Sequence, residues 1–285
     1  MHQNQTMHTT HPAIKNSWLR VLLFLITYLL CLISASSLIN DKPEDLPSIP
    51  GFYISVLLNL IISFSLVLIF RKFIDKNSFY TLGWNLKNHN KEGIIGFITG
   101  ILLCCFIGII LWAMQLLQWF TDGVAVMPLL LSFITMALVA LAEELVFRGY
   151  ILNNLMQGIN KEAALVLSAI IFAAAHSLNP YFNLTAFLNI LLAGLLLGLN
   201  YIFTKNLWFG IFLHLSWNFV QGSILGFNVS GIELPVLLQQ NIRGSVLLTG
   251  GKFGLEASWL TAIVFAMAIP VYYFVFQKKY IQPSA

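Results

Sequence analysis

The stretch "ALVALAEELVFRGYILNN", residues 137–154, sets two acids and a base, Glu143, Glu144 and Arg148, inside an otherwise apolar run. A charged side chain at mid-bilayer costs at least about 2.5–3.5 kcal/mol on insertion scales, so carboxylates there need a partner or a water-filled cavity. Helical spacing assigns the partner. Glu144 and Arg148 are four residues apart, on one face, where an ion pair is natural. Glu143 lies about 100° around the helix from Glu144 and is left for other work. The bland alternative is that both acids lock helices together or sit at headgroup level.

The surrounding composition explains why this stretch decides the fold. Of the 285 residues 58% are hydrophobic and only 9% charged, against about 25% charged in ordinary soluble domains. The chain reads as an all-α, polytopic membrane helix bundle. Hydropathy marks about eight transmembrane helices, near 18–39, 52–70, 94–120, 126–158, 161–176, 183–203, 207–229 and 257–277. The fourth is long and the fifth short for a simple crossing. The expected organisation is a polar tail over 1–17, two N-terminal spans with a basic loop over 18–93, and a membrane-embedded core over 94–285.

Lys and Arg orient the bundle. Lys15 and Arg20 lie at the start of the first span, and Arg71, Lys72, Lys76, Lys87 and Lys91 follow the second, while the segment between the spans, "NDKPEDLP", is acidic. Alternating sides puts Lys161, Lys205, Lys278 and Lys279 with the basic cluster and leaves only Lys42, Arg243 and Lys252 opposite. Both termini are therefore expected in the cytoplasm. The net charge of +4 is a topology signal, and no nucleic-acid partner is expected. A basic stretch before an apolar core, ending in "SASS", also fits a cleaved signal peptide; that reading leaves the remaining spans unchanged. His2, His8 and His11 belong to a tail read as unstructured. Cys31, Cys104 and Cys105 all lie in apolar runs and suit neither a disulfide framework nor a metal knuckle.

Two further histidines lie within or at the edge of spans: His176 in "IFAAAHSLNP" and His214 in "GIFLHLSWNFVQG". Each alone reads as a hydrogen-bonded packing residue; together with the acid pair they suggest chemistry. Spans four and five join at Gly158–Asn160, where Gly158 suits a left-handed cap. Glu143 and His176 are symmetric about that turn and should sit at the same height in an antiparallel hairpin. The fourth helix exceeds the hydrocarbon core, so its polar end "NNLMQG" is expected to protrude into the cytoplasm. His214 lies about 13 Å in from the turn at Lys205, deep enough to share a cavity with Glu143, and Asn218 follows one turn later on the same face. Ala173–Ala175, Gly194 and Gly198 read as close-packing residues.

A Glu, two His and an Asn around a polar cavity fit water-mediated acyl hydrolysis. A partly desolvated carboxylate suits a general base working near neutrality. His176 would orient the water, and His214 with Asn218 would stabilise an oxyanion. No cofactor is expected, but Glu and His are also zinc ligands, and the absence of His-Glu-x-x-His weakens a zinc protease without excluding it. "GSVLLTGGKF" has the wrong glycine spacing for a phosphate loop, and the acceptor-like "NLT" and "NVS" arise easily by chance.

Glu143-Glu144-x-x-x-Arg148, Phe172-x-x-x-His176 and His214-x-x-x-Asn218, in order across consecutive spans, resemble the three motifs of the CAAX protease and bacteriocin-processing family. "GGKFGLEAS", residues 250–258, is similar to a glycine-rich segment before the last span of bacterial members. The resemblance covers about 124–277. It implies an intramembrane glutamic endopeptidase in which Glu143 activates water, Glu144, Arg148 and Phe172 support the site, His176 assists the base, and His214 and Asn218 form the oxyanion site. Its substrate would be a peptide or protein, lipidated or not, met among membrane lipids, and its location the bacterial cell membrane. Bacteriocin maturation and self-immunity are among the roles implied. A proton-coupled transporter and a non-catalytic immunity or scaffold protein are the alternatives. A transporter of this kind should show inverted repeats, and none is clear between the halves.

Overall fold

A chain surrounded by hydrocarbon must satisfy its peptide groups within its own segments, and the helix does this locally. The computed structural model describes residues 11–39, 49–87, 89–121, 123 and 125–281. Among these residues eight main helices follow one another: α1 Ser17–Ile39, α2 Ile49–Ile69, α3 Asn90–Ala113, α4 Val126–Glu144, α5 Lys161–Ala175, α6 Leu184–Leu199, α7 Trp208–Phe219 and α8 Trp259–Tyr280. The chain is an all-α polytopic membrane bundle. Six segments are long and apolar enough to cross a bilayer: Ser17–Ser37, Gly51–Ile74, Asn90–Ala113, Val126–Leu155, Leu184–Thr204 and Trp259–Tyr280. The other two, α5 and α7, have 15 and 12 residues. At 1.5 Å per residue, α5 reaches about 22 Å, short of a hydrocarbon core about 30 Å thick. These two short helices lead to His176 and carry His214. His2, His8, Lys42 and the acidic segment 40–47, used in the tail and orientation readings, lie outside the described residues.

Three expected boundaries change. The third span was expected to run to residue 120, but the helix stops at Ala113, and Gln115 takes a left-handed φ of 59° that no α-helix continues through. Leu117–Phe120 (β1) instead pairs antiparallel with Gln239–Ile242 (β2), Leu117 opposite Ile242, which adds a small ribbon to the helical fold. Gly158 does not need a left-handed backbone. It is small because a Cβ there would lie 2.5 Å from Ser17 Oγ at the start of α1. The turn is organised instead by Asn160, whose Oδ1 accepts from Ala163 N at 2.8 Å and caps α5.

The polar end of the fourth span packs against the ends of α1 and α2. Past α4 the helix runs on through a π-helical stretch, Leu145–Leu152, to Asn153–Leu155, and Asn153 and Asn154 are buried. They join a network centred on Asp75. Arg20 Nη1 donates to Asp75 Oδ1 at 3.1 Å and Arg71 Nη1 to Oδ2 at 2.9 Å; Tyr150 Oη and Asn154 Nδ2 approach the same carboxylate at 3.4 Å. Arg20 also holds Gln157 Oε1 at 2.9 Å. Two arginines thus outweigh one acid in a dry setting, and the network ties α1, the end of α2 and the end of the fourth span together at the basic end of the bundle. Lys279 to Glu92 at 2.6 Å joins α8 to α3 at that end as well.

Close helix approach sets the rest. A Cβ on Gly96 would fall 2.3 Å from Phe209 O, and one on Gly100 2.1 Å from Ser216 Oγ, so α3 presses directly on the backbone of α7. A Cβ on Gly194 would meet Ala169 at 3.0 Å and one on Gly198 would meet Leu165 at 2.5 Å, which seats α6 on α5. Glycines thus let the helices that position His176 and His214 approach their neighbours closely.

Replacing Asp75 with Asn leaves two buried guanidinium groups without their counter-charge. Asp75→Asn is expected to cost about 3–5 kcal/mol of stability, read as an earlier unfolding transition in a detergent denaturation series; an unchanged transition would contradict the role given to this network.

Candidate active site

The geometry starts with the i,i+4 pair in the opening stretch. Glu144 is completely buried, and its Oε1 accepts from Arg148 Nη1 at 2.9 Å and from His214 Nδ1–H at 3.1 Å. Arg148, itself buried, donates a second bond from Nη2 to Gly194 O at 3.0 Å and stacks its guanidinium 4.4 Å from the Phe172 ring centre. One ion pair thus touches α5 through Phe172, α6 through Gly194 and α7 through His214. Gly210 leaves room for it: a Cβ there would lie 2.7 Å from Glu144 Oε2. The π-helical register begins immediately after Glu144, at Leu145, a local widening often found at functional sites.

Glu143 behaves differently. Its Oε2 is buried and has no hydrogen-bond partner among the described residues. It stands 3.8 Å from His176 Nε2 and 3.9 Å from His214 Nε2, too far for direct hydrogen bonds. Both histidine rings are oriented from behind. His176 follows the last residue of α5 and donates from Nδ1 to Phe172 O at 2.8 Å; His214 donates from Nδ1 to Glu144. In the neutral tautomer each ring therefore turns an unprotonated Nε2 towards Glu143. Phe172 packs edge-on against both rings, at 4.6 and 6.1 Å between centres.

These groups line a cavity of about 450 Å³ with a mainly apolar wall. Glu143, Phe172, His176, His214 and Asn218 all border it, whereas Glu144 and Arg148 stand behind it. Asn218 is buried, and its carboxamide makes no hydrogen bond among the described residues, so its donors are available to the cavity. Among the described residues no three His, Cys, Asp or Glu side chains form a metal-holding group.

Residues outside the expected set complete the wall. Tyr28 and Asn59, from α1 and α2, border the cavity, and so does Glu256. Glu256 is brought there by Gly254, whose φ of 103° and 1.9 Å separation between a built Cβ and Asn228 O admit no side chain. The turn presses residues 255–257 against the 228–230 segment, where Glu256 Oε2 accepts from Ser230 N and from Ser230 Oγ, both at 2.7 Å. Glu256 is the acid of the "GGKFGLEAS" segment, so its neighbourhood was visible in the sequence, but no periodic spacing links it to Glu143. Tyr28 and Asn59 gave no sequence signal, since single polar residues in apolar spans are common helix-packing groups.

Burial pushes the Glu256 carboxyl above the usual carboxylate range, with the Ser230 bonds and the nearby His176 and His214 opposing the shift. The folded protein then holds this proton more tightly than the unfolded chain, and the contribution of Glu256 to stability falls as pH rises. Glu256→Gln keeps an oxygen for Ser230 and removes the charge. Its thermal midpoint is expected above that of the unsubstituted chain at pH 8, with the gap closing towards about pH 4.3; a gap independent of pH would contradict this account.

Comparison with known proteins reaches the same helices. Residues 125–220 match the family model described as "Type II CAAX prenyl endopeptidase Rce1-like". The matched segment contains all three motifs and excludes Tyr28, Asn59 and Glu256. No match was found among curated proteins or among solved structures. The segment that holds the acid pair on α4, His176 after α5 and the His214–Asn218 pair on α7 is thus similar, over residues 125–220, to the type II CAAX prenyl endopeptidase Rce1-like family.

Proposed function

We propose that the chain is a glutamic endopeptidase that hydrolyses a peptide bond within the membrane, with Glu143 as the base. The observation that carries this reading is the buried, unbonded Glu143 Oε2 facing two oriented Nε2 atoms at 3.8 and 3.9 Å. A water bonded to Glu143 and to a histidine would fit those separations. In the proposed step Glu143 takes a proton from that water as its oxygen attacks the substrate carbonyl carbon. The C–N bond then breaks as the amine takes the proton from Glu143, with His176 as the relay. The oxyanion of the tetrahedral intermediate would accept from the Asn218 amide and from His214. With its Nδ1–H committed to Glu144, His214 donates at Nε2 only as the imidazolium, and the Glu144 carboxylate lies against that charge.

Glu144 and Arg148 support this arrangement without touching the water. Their bonds run to His214, Gly194 O and Phe172, so they set where the ring and the helices stand. The apolar cavity wall suits a peptide presented from the bilayer, lipidated or not, and the bacterial cell membrane is the proposed setting, with CAAX-type or bacteriocin processing as the candidate roles. A scaffold or immunity protein would need neither the orphan Glu143 oxygen nor the two ring orientations.

The test is cleavage of a quenched peptide library, with and without a prenyl group, by the full chain in detergent. Glu143→Gln is expected to remove at least 99% of the activity, in line with the 10²–10⁴-fold contribution of general-base catalysis. Glu144→Gln is expected to lower the thermal midpoint as well as the rate, because it breaks a buried pair. Activity should persist in a zinc chelator. Full activity of Glu143→Gln would remove the base assignment, and loss with chelator followed by recovery with zinc would turn the same residues into metal ligands.

A further inference from the structure

The family match leaves out α1 and α2, yet these helices form the cavity wall that faces Glu143. Leu32, Phe52, Val56 and their neighbours make that wall apolar, and Tyr28 and Asn59 interrupt it. Tyr28 donates from its hydroxyl to Asn59 Oδ1 at 2.8 Å, and Ser63, one turn along α2 and fully buried, reaches the same oxygen at 3.2 Å. The two hydroxyls lie 3.3 Å apart. Two donors on one oxygen fix the rotation of the carboxamide. The amide nitrogen is then left with two N–H groups and no hydrogen-bond partner among the described residues, on a side chain that borders the cavity.

An Asn that only joined α1 to α2 would be complete with its oxygen alone, and an apolar wall has no other use for two unpaired donors. Asn59 is half-buried and its amide nitrogen is open to the cavity, so the arrangement suits a partner that arrives with the substrate. Tyr28 lies within electrostatic reach of Glu143, and both Tyr28 and Asn59 border the cavity that Glu143 lines. The only group a peptide offers at every residue to such a donor is its main-chain carbonyl.

We propose that Asn59, oriented by Tyr28 and Ser63, is a substrate-binding residue that donates from Nδ2 to a main-chain carbonyl of the bound peptide, holding it between α2 and Glu143. This rests on the endopeptidase reading above. It adds a contribution from the two helices outside the matched domain: they supply part of the peptide-binding surface rather than only anchoring the core.

The experiment uses the full chain in detergent and the library peptide cleaved fastest by the unsubstituted protein. Asn59→Leu, of similar size and without donors, is expected to raise KM about tenfold with kcat within about threefold, the loss of one hydrogen bond made equally in ground and transition states. Tyr28→Phe keeps the ring but leaves only Ser63 to orient the carboxamide, and should raise KM by a smaller factor in the same direction. Thioamide replacement of the peptide carbonyls, one at a time, should then find one position that weakens binding to the unsubstituted protein and not to Asn59→Leu. Thermal midpoints of both variants accompany the kinetics, and Tyr28→Phe carries the test if Asn59→Leu does not fold. Unchanged KM in a folded variant, or equal thioamide penalties at every position, would overturn the proposal while leaving the endopeptidase intact. If the unsubstituted chain cleaves nothing, the endopeptidase reading fails, and fluorescence anisotropy of the labelled library decides the binding claim: weaker binding to Asn59→Leu upholds it, and equal or absent binding overturns it.

Discussion

The bundle around the site depends on one buried carboxylate. Glu144 Oε1 accepts from Arg148 and from His214, and Arg148 reaches on to Gly194 O and the Phe172 ring. A lone ion in that place would be prohibitively costly, and the pair is tolerable because Glu144 Oε1 takes two donors and Arg148 bonds from both terminal nitrogens. The constraint works outwards. Gly210 must lack a side chain to admit the carboxylate, Gly194 must expose its carbonyl, and Phe172 must present a ring face. The same bonds orient the His214 ring, so the electrostatic hub and the cavity wall are one construction.

Two short helices follow from that arrangement. A crossing helix about 30 Å long would carry its ends to the interfaces, whereas α5 ends at Ala175 and leaves His176 at a helix terminus on the cavity wall. Within a membrane protein, loop backbone is tolerated where it borders a cavity. The chain after α7 supplies the cover: the segment from Gly226 to Ser258 folds back with the small ribbon, and its Ser230–Glu256 contact closes part of the cavity. At the opposite, basic end, Asp75 and its arginines fasten α1 and α2 to the fourth span. The bundle is thus clamped at one end and hollow towards the other.

Much of this was legible without coordinates. Hydropathy marked eight helices, of which six are long and apolar enough to cross a bilayer, and the four-residue step from Glu144 to Arg148 named a pair that is present at 2.9 Å. The symmetry of Glu143 and His176 about the turn predicted a meeting, and they stand 3.8 Å apart. The misses share a cause. Gln115 ends α3 early, and Gly158 is small for the sake of Ser17. Each depends on a partner or a backbone turn that hydropathy does not encode.

What the sequence by itself determined is the set of local facts: which segments are helical and apolar, which side chains share a helical face, and that ionisable groups in those segments need partners. Helical periodicity and transfer free energy are properties of neighbouring residues, so one dimension suffices for them. Only the tertiary structure decided that His214, 70 residues from Glu144, donates to it, that Glu143 keeps an unbonded oxygen, and that Tyr28, Asn59 and Glu256 share its cavity. Those relations are made by contact between helices distant in the chain, and contact geometry is set by how closely the glycine-bearing faces approach.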